Sequence, residues 1–535
     1  ITWPDRSYTV LHTPQINKIH FVEQKSAVTS PEKIKTDLPL STFFTKVETG
    51  FEKHQENNYV DFYNERLVPR ALSREGPKTA TVDVNGDGLT DVFIGAAEGS
   101  VGQLYMQAAN GTFNKKEVAA FKQPYRYEDV ATLFFDYNKD GDMDLLVCPG
   151  GNNHLMNSPE LQLRLFKNDS KGNFVLDNGA FPQISMNISV AIANDFNNDG
   201  YPDLFIGARS YPGVYGKDPQ SYLFVNDGKG HFTDMAKIKN PDISNIGMVT
   251  GAVWADVTGD KQKELIIVGE WMAPRIFSFS TDHFIEIKTD LSDKFGWYQT
   301  ISTADVNNDG KEDLILGNIG KNFYLNPTDA KPVKLWMNDF DKNGEMDKIM
   351  TYTINGKDLP VFLKHEMEEQ VPGLKKQNLK HQDYATKSIQ ELFSQELIKP
   401  AVVKQFNYSP SVVAINQGNG KFIIKELPVM SQLTCINAVI PIDVNGDGFI
   451  DLVTGGNQFG FLPQFEKLDG SFGDVLINDG KGNFTWQESK KTGLNLRGEL
   501  RDIAMIKNSK GSFLLFLQNN ELPMYFKIND HSTKK

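Results

Sequence analysis

Along most of the chain, short apolar runs alternate with clusters of Asp, Asn and Gly. Apolar or alternating stretches (TATV, ATLFF, AIAN, GAVWA, ISTA) lead into such a cluster, and denser runs (DVFIG, DLLVC, DLFIG, ELIIV, DLILG, DLVTG) lead out of it. Runs this short, bounded by turn residues, read as strands, so each polar cluster joins two strands. A second hairpin signal follows most copies, strongest in Asn226-Asp-Gly-Lys-Gly-His-Phe232 and Asn478-Asp-Gly-Lys-Gly-Asn-Phe484, with weaker forms at Asn168, Asn110 and Asn416. Its Gly and Asn/Asp residues supply the positive φ of tight hairpins.

Two hairpins per unit make four antiparallel strands, and units recurring every ~50 to 60 residues are propeller blades. First strands fall near residues 79, 131, 189, 250, 300, 436 and 502. The predicted fold is therefore all-β: a seven-bladed β-propeller of four-stranded antiparallel blades over residues 51–530, with eight blades as the alternative. The loops at Asp305 and Asp443 lie more than twice the usual spacing apart, which places an insertion at about 319–408 between the second and third strands of blade five. It holds one long helical pattern, from about Glu366 to Leu397, with apolar Tyr384, Ile389, Leu392, Phe393 and Leu397. Lys375, Lys376, Lys380, Glu391 and Glu396 are expected on its exposed face, overhanging the channel mouth as a docking element.

The polar clusters share one pattern, D-x-[ND]-x-[DN]-G-x-x-D. It occurs six times: DVNGDGLTD from Asp83, DYNKDGDMD from Asp136, DFNNDGYPD from Asp195, DVNNDGKED from Asp305, DFDKNGEMD from Asp339 and DVNGDGFID from Asp443. Positions one, three, five and nine bring hard oxygens to one point, the main-chain carbonyl of position seven adds another, and the glycine at six allows the sharp turn. This is the chemistry of Ca²⁺, and about six ions are expected. The predicted ligands are Asp83, Asn85, Asp87, Leu89 and Asp91; Asp136, Asn138, Asp140, Asp142 and Asp144; Asp195, Asn197, Asp199, Tyr201 and Asp203; Asp305, Asn307, Asp309, Lys311 and Asp313; Asp339, Asp341, Asn343, Glu345 and Asp347; and Asp443, Asn445, Asp447, Phe449 and Asp451. Leu89, Asp142, Tyr201, Lys311, Glu345 and Phe449 would act through their main-chain carbonyls. A seventh loop, DVTGDKQKE from Asp256, has lost the glycine, and an eighth trace at Asn508–Gly511 has lost every carboxylate.

Charge adds little once the loops are counted: six divalent ions would offset the formal −12 of the 535 residues. The excess of acids over bases argues against nucleic acid as a partner, since phosphate contacts need a basic face. No apolar run approaches the ~20 residues of a spanning helix. Cys148 and Cys435, the only cysteines, sit in apolar runs and read as buried hydrophobes. No nucleophile elbow, phosphate loop, H-E-x-x-H or dinucleotide fingerprint is present, so no catalytic residue is assigned.

The loops and their flanking strands resemble FG-GAP/VCBS repeats, as in integrin α-subunit propellers and bacterial relatives of cartilage acidic protein. The resemblance spans about residues 50 to 528 and implies calcium in first-hairpin loops and a location outside the cytosol. Residues 1–25 resemble the end of an UnbV/ASPIC domain, chiefly through Trp3-Pro4-Asp5 and Asn17, with 26–50 as linker. The chain then reads as part of a longer exported protein.

If the calcium loops occupy one face, the ligand belongs on the other. Tyr125, Arg126, Tyr127, His154, Arg209, Tyr211, Trp271, Trp297 and Asn457 are the candidates there, a mixture suited to sugar stacking or peptide contacts. The expected function is a cell-surface or extracellular scaffold for glycan or protein ligands, in one form an accessory of a Sus-type outer-membrane transporter complex. The alternatives are a calcium-dependent polysaccharide lyase or hydrolase and an integrin-like adhesion module.

Overall fold

The computed structural model describes residues 1, 3, 7–28, 42–122 and 126–531. The chain divides into two compact units, Ile1–Thr42 and Phe43–Lys535. In the first, an antiparallel bridge links Tyr8 and Val28, and Trp3 Nε1 donates to Thr9 Oγ1 at 2.9 Å. Pro4 and Asp5, which carry part of the UnbV/ASPIC resemblance, lie outside the described residues.

The second unit holds eight antiparallel sheets. Four consecutive ones follow the simple meander: Thr79–Val82 to Phe113–Lys116, Asp129–Phe135 to Phe174–Asp177, Asn187–Asn194 to Phe232–Asp234, and Met248–Ala255 to His283–Ile287. The fifth pairs Thr300–Ala304 and Asp313–Gly317 with Val412–Gly418 and Lys421–Glu426; the sixth runs from Ile436–Ile442 to Phe484–Gln487. The seventh takes three strands from Leu500–Asn508 to Met524–Ile528 and its outer strand, Phe44–Val47, from the other end of the unit. Residues 44–47 are therefore part of the last sheet and not linker, because Phe44 and Val47 pair with Ile528 and Tyr525.

The first strands of these seven sheets touch one another in a closed cycle. On its axis lies a narrow cavity, to which every sheet of the ring contributes a side chain: Lys78, Val130, Ser189, Thr250, Gln299, Asn437 and Arg501. The sequence pattern follows from this packing. Second strands are covered by neighbouring sheets on both faces, so Asp91–Ile94, Asp144–Pro149 and Asp203–Ser210 are buried at every position and read as continuous apolar runs.

The eighth sheet lies in the insertion, between the second and third strands of the fifth. Its strands Val333–Asn338, Asp347–Ile354, Lys357–Pro360 and Val402–Phe406 pair in an order unlike the meander, with Val333–Asn338 and Asp347–Ile354 central. The single helix expected at Glu366–Leu397 is instead five short ones: Lys364–Gln370, Leu374–Gln377, His381–Ala385, Ile389–Leu392 and Gln395–Ile398. Pro372-Gly373 interrupts the run, and Ser388 with Glu391 forms a fresh capping box. Lys375, Lys376, Lys380, Glu391 and Glu396 are exposed as expected. The opposite side is core: Met367, Val371, Leu374, Tyr384, Ile389 and Leu392 join one cluster with Trp271, Trp297 and Phe461 of the ring sheets and their loops.

Candidate metal loops and the opposite face

All six intact motifs join a first to a second strand, five of them in ring sheets and the Asp339 loop in the inserted sheet. Their backbones repeat closely. Position six is left-handed in each, with φ of 81° at Gly88, 90° at Gly141 and 92° at Gly200, and a Cβ at Gly88 or Gly141 would meet nothing, so conformation and not space demands glycine. Position four is left-handed as well and carries Gly86, Lys139, Asn198, Asn308, Lys342 or Gly446.

The carboxylate at position one receives the N–H groups of positions five and six, as in Asp140 to Asp136 Oδ1 (3.2 Å) and Gly141 to Asp136 Oδ2 (3.0 Å). The amide at position three orients position five: Asn85, Asn138, Asn197 and Asn445 each donate to the Asp two residues on, at 2.8–3.0 Å. The ninth-position acids, Asp91, Asp144, Asp203, Asp313, Asp347 and Asp451, are wholly buried. Burial pushes their carboxyls up, to about 6 at Asp91, Asp313 and Asp451 and about 7 at Asp144 and Asp203, and the acids at positions one and five add to the effect. Asp347 shifts in the same direction. Oδ2 of Asp144 and of Asp203 has no hydrogen-bond partner. Carboxylate oxygens of Asp136, Asp140 and Asp144, and of Asp339, Asp341 and Asp347, lie within 4.8 Å of one another. Buried acids converging with orphaned oxygens fit a hard divalent cation.

The Asp256 loop keeps the turn without its glycine, since Gly259 and Lys261 both adopt positive φ. Its ninth position is Glu264, whose oxygens accept the N–H groups of Val257 and Thr258 and the Thr258 hydroxyl.

The Asn residues that read as hairpin formers do more. Nδ2 of Asn168, Asn226 and Asn478 donates to the position-two carbonyl of another sheet's loop, Val84, Tyr137 and Val306, at 2.7–2.8 Å. Their own N–H groups bind the ninth-position acids Asp144, Asp203 and Asp451. Each Asn thus ties a loop of its own sheet to a loop of the preceding one. Sequence reading missed this because the same Asn also satisfies the turn.

The opposite face carries the strand-two-to-three loops. Of the nine ligand candidates, Tyr125 lies outside the described residues. Arg126, Tyr127 and His154 come together: the His154 ring nitrogen Nε2 is 3.0 Å from the Arg126 carbonyl, and the Tyr127 ring lies 4.0 Å from the Arg164 guanidinium. Tyr211 is half-buried under Lys217 Nζ at 3.6 Å. The other four are packed inside. Trp297 stacks on Phe406 and meets Trp271 edge-on. Asn457 pins loops through the carbonyls of Ser471 and Gly498. Arg209 binds Glu75 and Glu270, each at 2.9 Å. Arg70 also binds Glu270, at 2.5 Å, and the two guanidinium groups hold the Glu270 carboxyl down at about 2 against its burial. Surface presentation fails for Trp271 and Trp297 because the inserted sheet and the chain before the first sheet pack against them.

That preceding segment builds a cavity the sequence did not reveal. Tyr59, Phe62 and Tyr63 face Phe459 and Phe461 across a space of about 440 Å³, with Arg74 at its wall. Asp61 folds the segment: its carboxylate accepts Leu72 N–H at 3.0 Å and the Ser73 hydroxyl at 2.6 Å. The signal available was the aromatic density of Tyr59-Val-Asp-Phe-Tyr63. Among the described residues no helix is long and apolar enough to cross a membrane.

No curated protein matches the chain. Among solved structures it is similar to BBS1N in complex with ARL6DN, soaked with mercury (8% identity, TM-score 0.38, 90% of this chain and 98% of that one). It is also similar to the V. cholerae biofilm matrix protein Bap1 (10% identity, TM-score 0.37, 91% and 92%). The family model of the FG-GAP-like repeat matches residues 83–147 and 195–267, segments that begin on the Asp83 and Asp195 loops. The chain is an all-β protein in which two segments match the FG-GAP-like repeat.

Proposed function

We propose that this chain is a calcium-stabilised binding scaffold of the cell surface or extracellular space, taking a glycan or protein ligand on the face opposite the Asp loops. The observation that carries the reading is the aromatic cavity of about 440 Å³, where exposed Tyr63 and half-buried Phe62 and Phe459 stand beside Arg74. Flat rings beside a guanidinium suit stacking on sugar rings or peptide side chains. FG-GAP-like repeats are typical of binding scaffolds outside the cytosol, which supports binding over catalysis.

In this reading Asp83, Asn85, Asp87 and Asp91, with their counterparts in the other five intact loops, hold the ions. Calcium would supply the positive charge that lets a buried ninth-position acid stay ionised. The loops then fix the strand ends on one face, so that the loops on the other hold a constant geometry. A Sus-type outer-membrane complex is one setting in which such a scaffold would work.

A glycan and peptide array, probed with the wild type and with Tyr63→Ala, tests the reading. Ligands retained by the wild type and lost by the variant support the cavity. Binding unchanged in the variant rules the cavity out, and new reducing ends or unsaturated products from a bound glycan would replace the scaffold with an enzyme.

A further inference from the structure

We infer that the axial cavity of the ring is a binding site for a small oxyanion, of the size and charge of sulfate or phosphate. The cavity has a volume of about 50 Å³ and takes a side chain from each of the seven ring sheets. Four of its lining residues, Arg70, Lys78, Arg209 and Arg501, are cationic, and Glu75 is the acidic one. The remaining wall, including Ser189, Thr250 and Gln299, is largely neutral and polar.

The carboxylates at hand do not use up these cations. Glu270 stands behind the wall and engages Arg70 and Arg209, Glu75 engages Arg209 at 2.9 Å and Arg70 at 3.7 Å, and Glu499 engages Arg501 at 3.3 Å, which sets three carboxylates against four cations. Arg209 Nη1, Arg70 Nε and Arg501 Nε are left without hydrogen-bond partners, although Arg209 and Arg70 are each 2% exposed and Arg501 is 7% exposed. Lys78 Nζ meets only the Arg501 main-chain carbonyl, at 2.5 Å. A buried guanidinium with an unmet N–H is costly, and fixed forks of N–H donors match the oxygens of a small oxyanion. Water alone would meet hydrogen bonds but not charge. Arg501 also lines the aromatic cavity, so the two sites share one residue, while Arg70, Lys78 and Arg209 belong to the axial cavity.

Crystals of the wild type soaked in selenate, read by selenium anomalous scattering, test the inference directly. A peak on the ring axis within hydrogen-bond distance of Arg209 and Arg501 is expected. Selenate peaks at the protein surface alone, or an axial cavity holding only water, would overturn it. In solution, sulfate titrated at constant ionic strength should raise the melting temperature saturably, and Lys78→Met should weaken the apparent affinity about tenfold, the loss of one charge-assisted contact. An equal, non-saturating rise in both proteins would also overturn it, since that is the general effect of excluded salts.

Discussion

Asn226 gives the sharpest test of how the ring is held together. Its side chain is 1% exposed and donates to Tyr137 O at 2.7 Å and Pro202 O at 3.2 Å, while its Oδ1 accepts from Gly228 N–H at 3.0 Å. Asn226→Ala would leave two carbonyls and one N–H without partners. Each such group costs ~1–3 kcal/mol when buried, and partial access of water to the loop favours the low end, so a total loss of about 2–4 kcal/mol is expected. Asn226→Asp keeps the shape and the Gly228 contact but turns a carboxylate oxygen toward two carbonyls. It should therefore be worse than Ala at neutral pH, and less so at low pH where the acid can donate. Calorimetric and urea unfolding of both variants reads the difference, with m-values checked for constancy. A loss below about 1 kcal/mol in Asn226→Ala, or an Asp variant as stable as the Ala one, would refute the role of the amide as a tie between sheets.

Two further outcomes follow from the packing and the charges. His54 is buried beside the positive charge of Arg501, and burial first and that charge second lower its pKa from 6.5 to about 4. Its neutral Nδ1 accepts from Asn520 N–H at 3.2 Å. The unfolded chain takes up the proton first, so stability is lost as pH falls from 6.5 to about 4, by up to about 3 kcal/mol; His54→Gln should flatten that part of the profile, and an unchanged slope would contradict it. Deleting residues 364–399 should lower the melting temperature sharply and bind a hydrophobic dye. Six buried side chains at ~1.5–3 kcal/mol each approach the whole stability of a domain, so a deletion variant melting like the wild type would mean the segment is peripheral after all.

The strands and Asp loops were legible because each obeys a local rule. Asp91 and Asp144 open second strands that are buried on both faces, so composition alone marked them. Even the place of the insertion came from spacing, since the Asp339 loop falls between the second and third strands of the fifth sheet. What failed depends on long-range contact. Phe44–Val47 is a short strand whose partner lies at the far end of the chain, and nothing local distinguishes it from linker. Trp297 was expected at the surface, yet the inserted sheet and the Leu67–Leu72 segment pack over it, and Arg209 stands near the end of a buried strand where Glu75 and Glu270 hold it. The helical pattern near Tyr384 and Ile389 was a true apolar stripe, divided by Pro372-Gly373 and Ser388 into turns too short to form one docking helix.

The central claim is that the Asp loops are metal sites which hold the ring in shape. Calcium bound per chain, measured by equilibrium dialysis with elemental analysis after chelator stripping and reloading, tests it most directly. The account predicts about six ions, one for each intact loop, with the melting temperature falling on removal because only the folded state binds. Fewer than four ions at saturating calcium, or a melting temperature indifferent to chelator, would contradict it and leave the loops as ordinary turns.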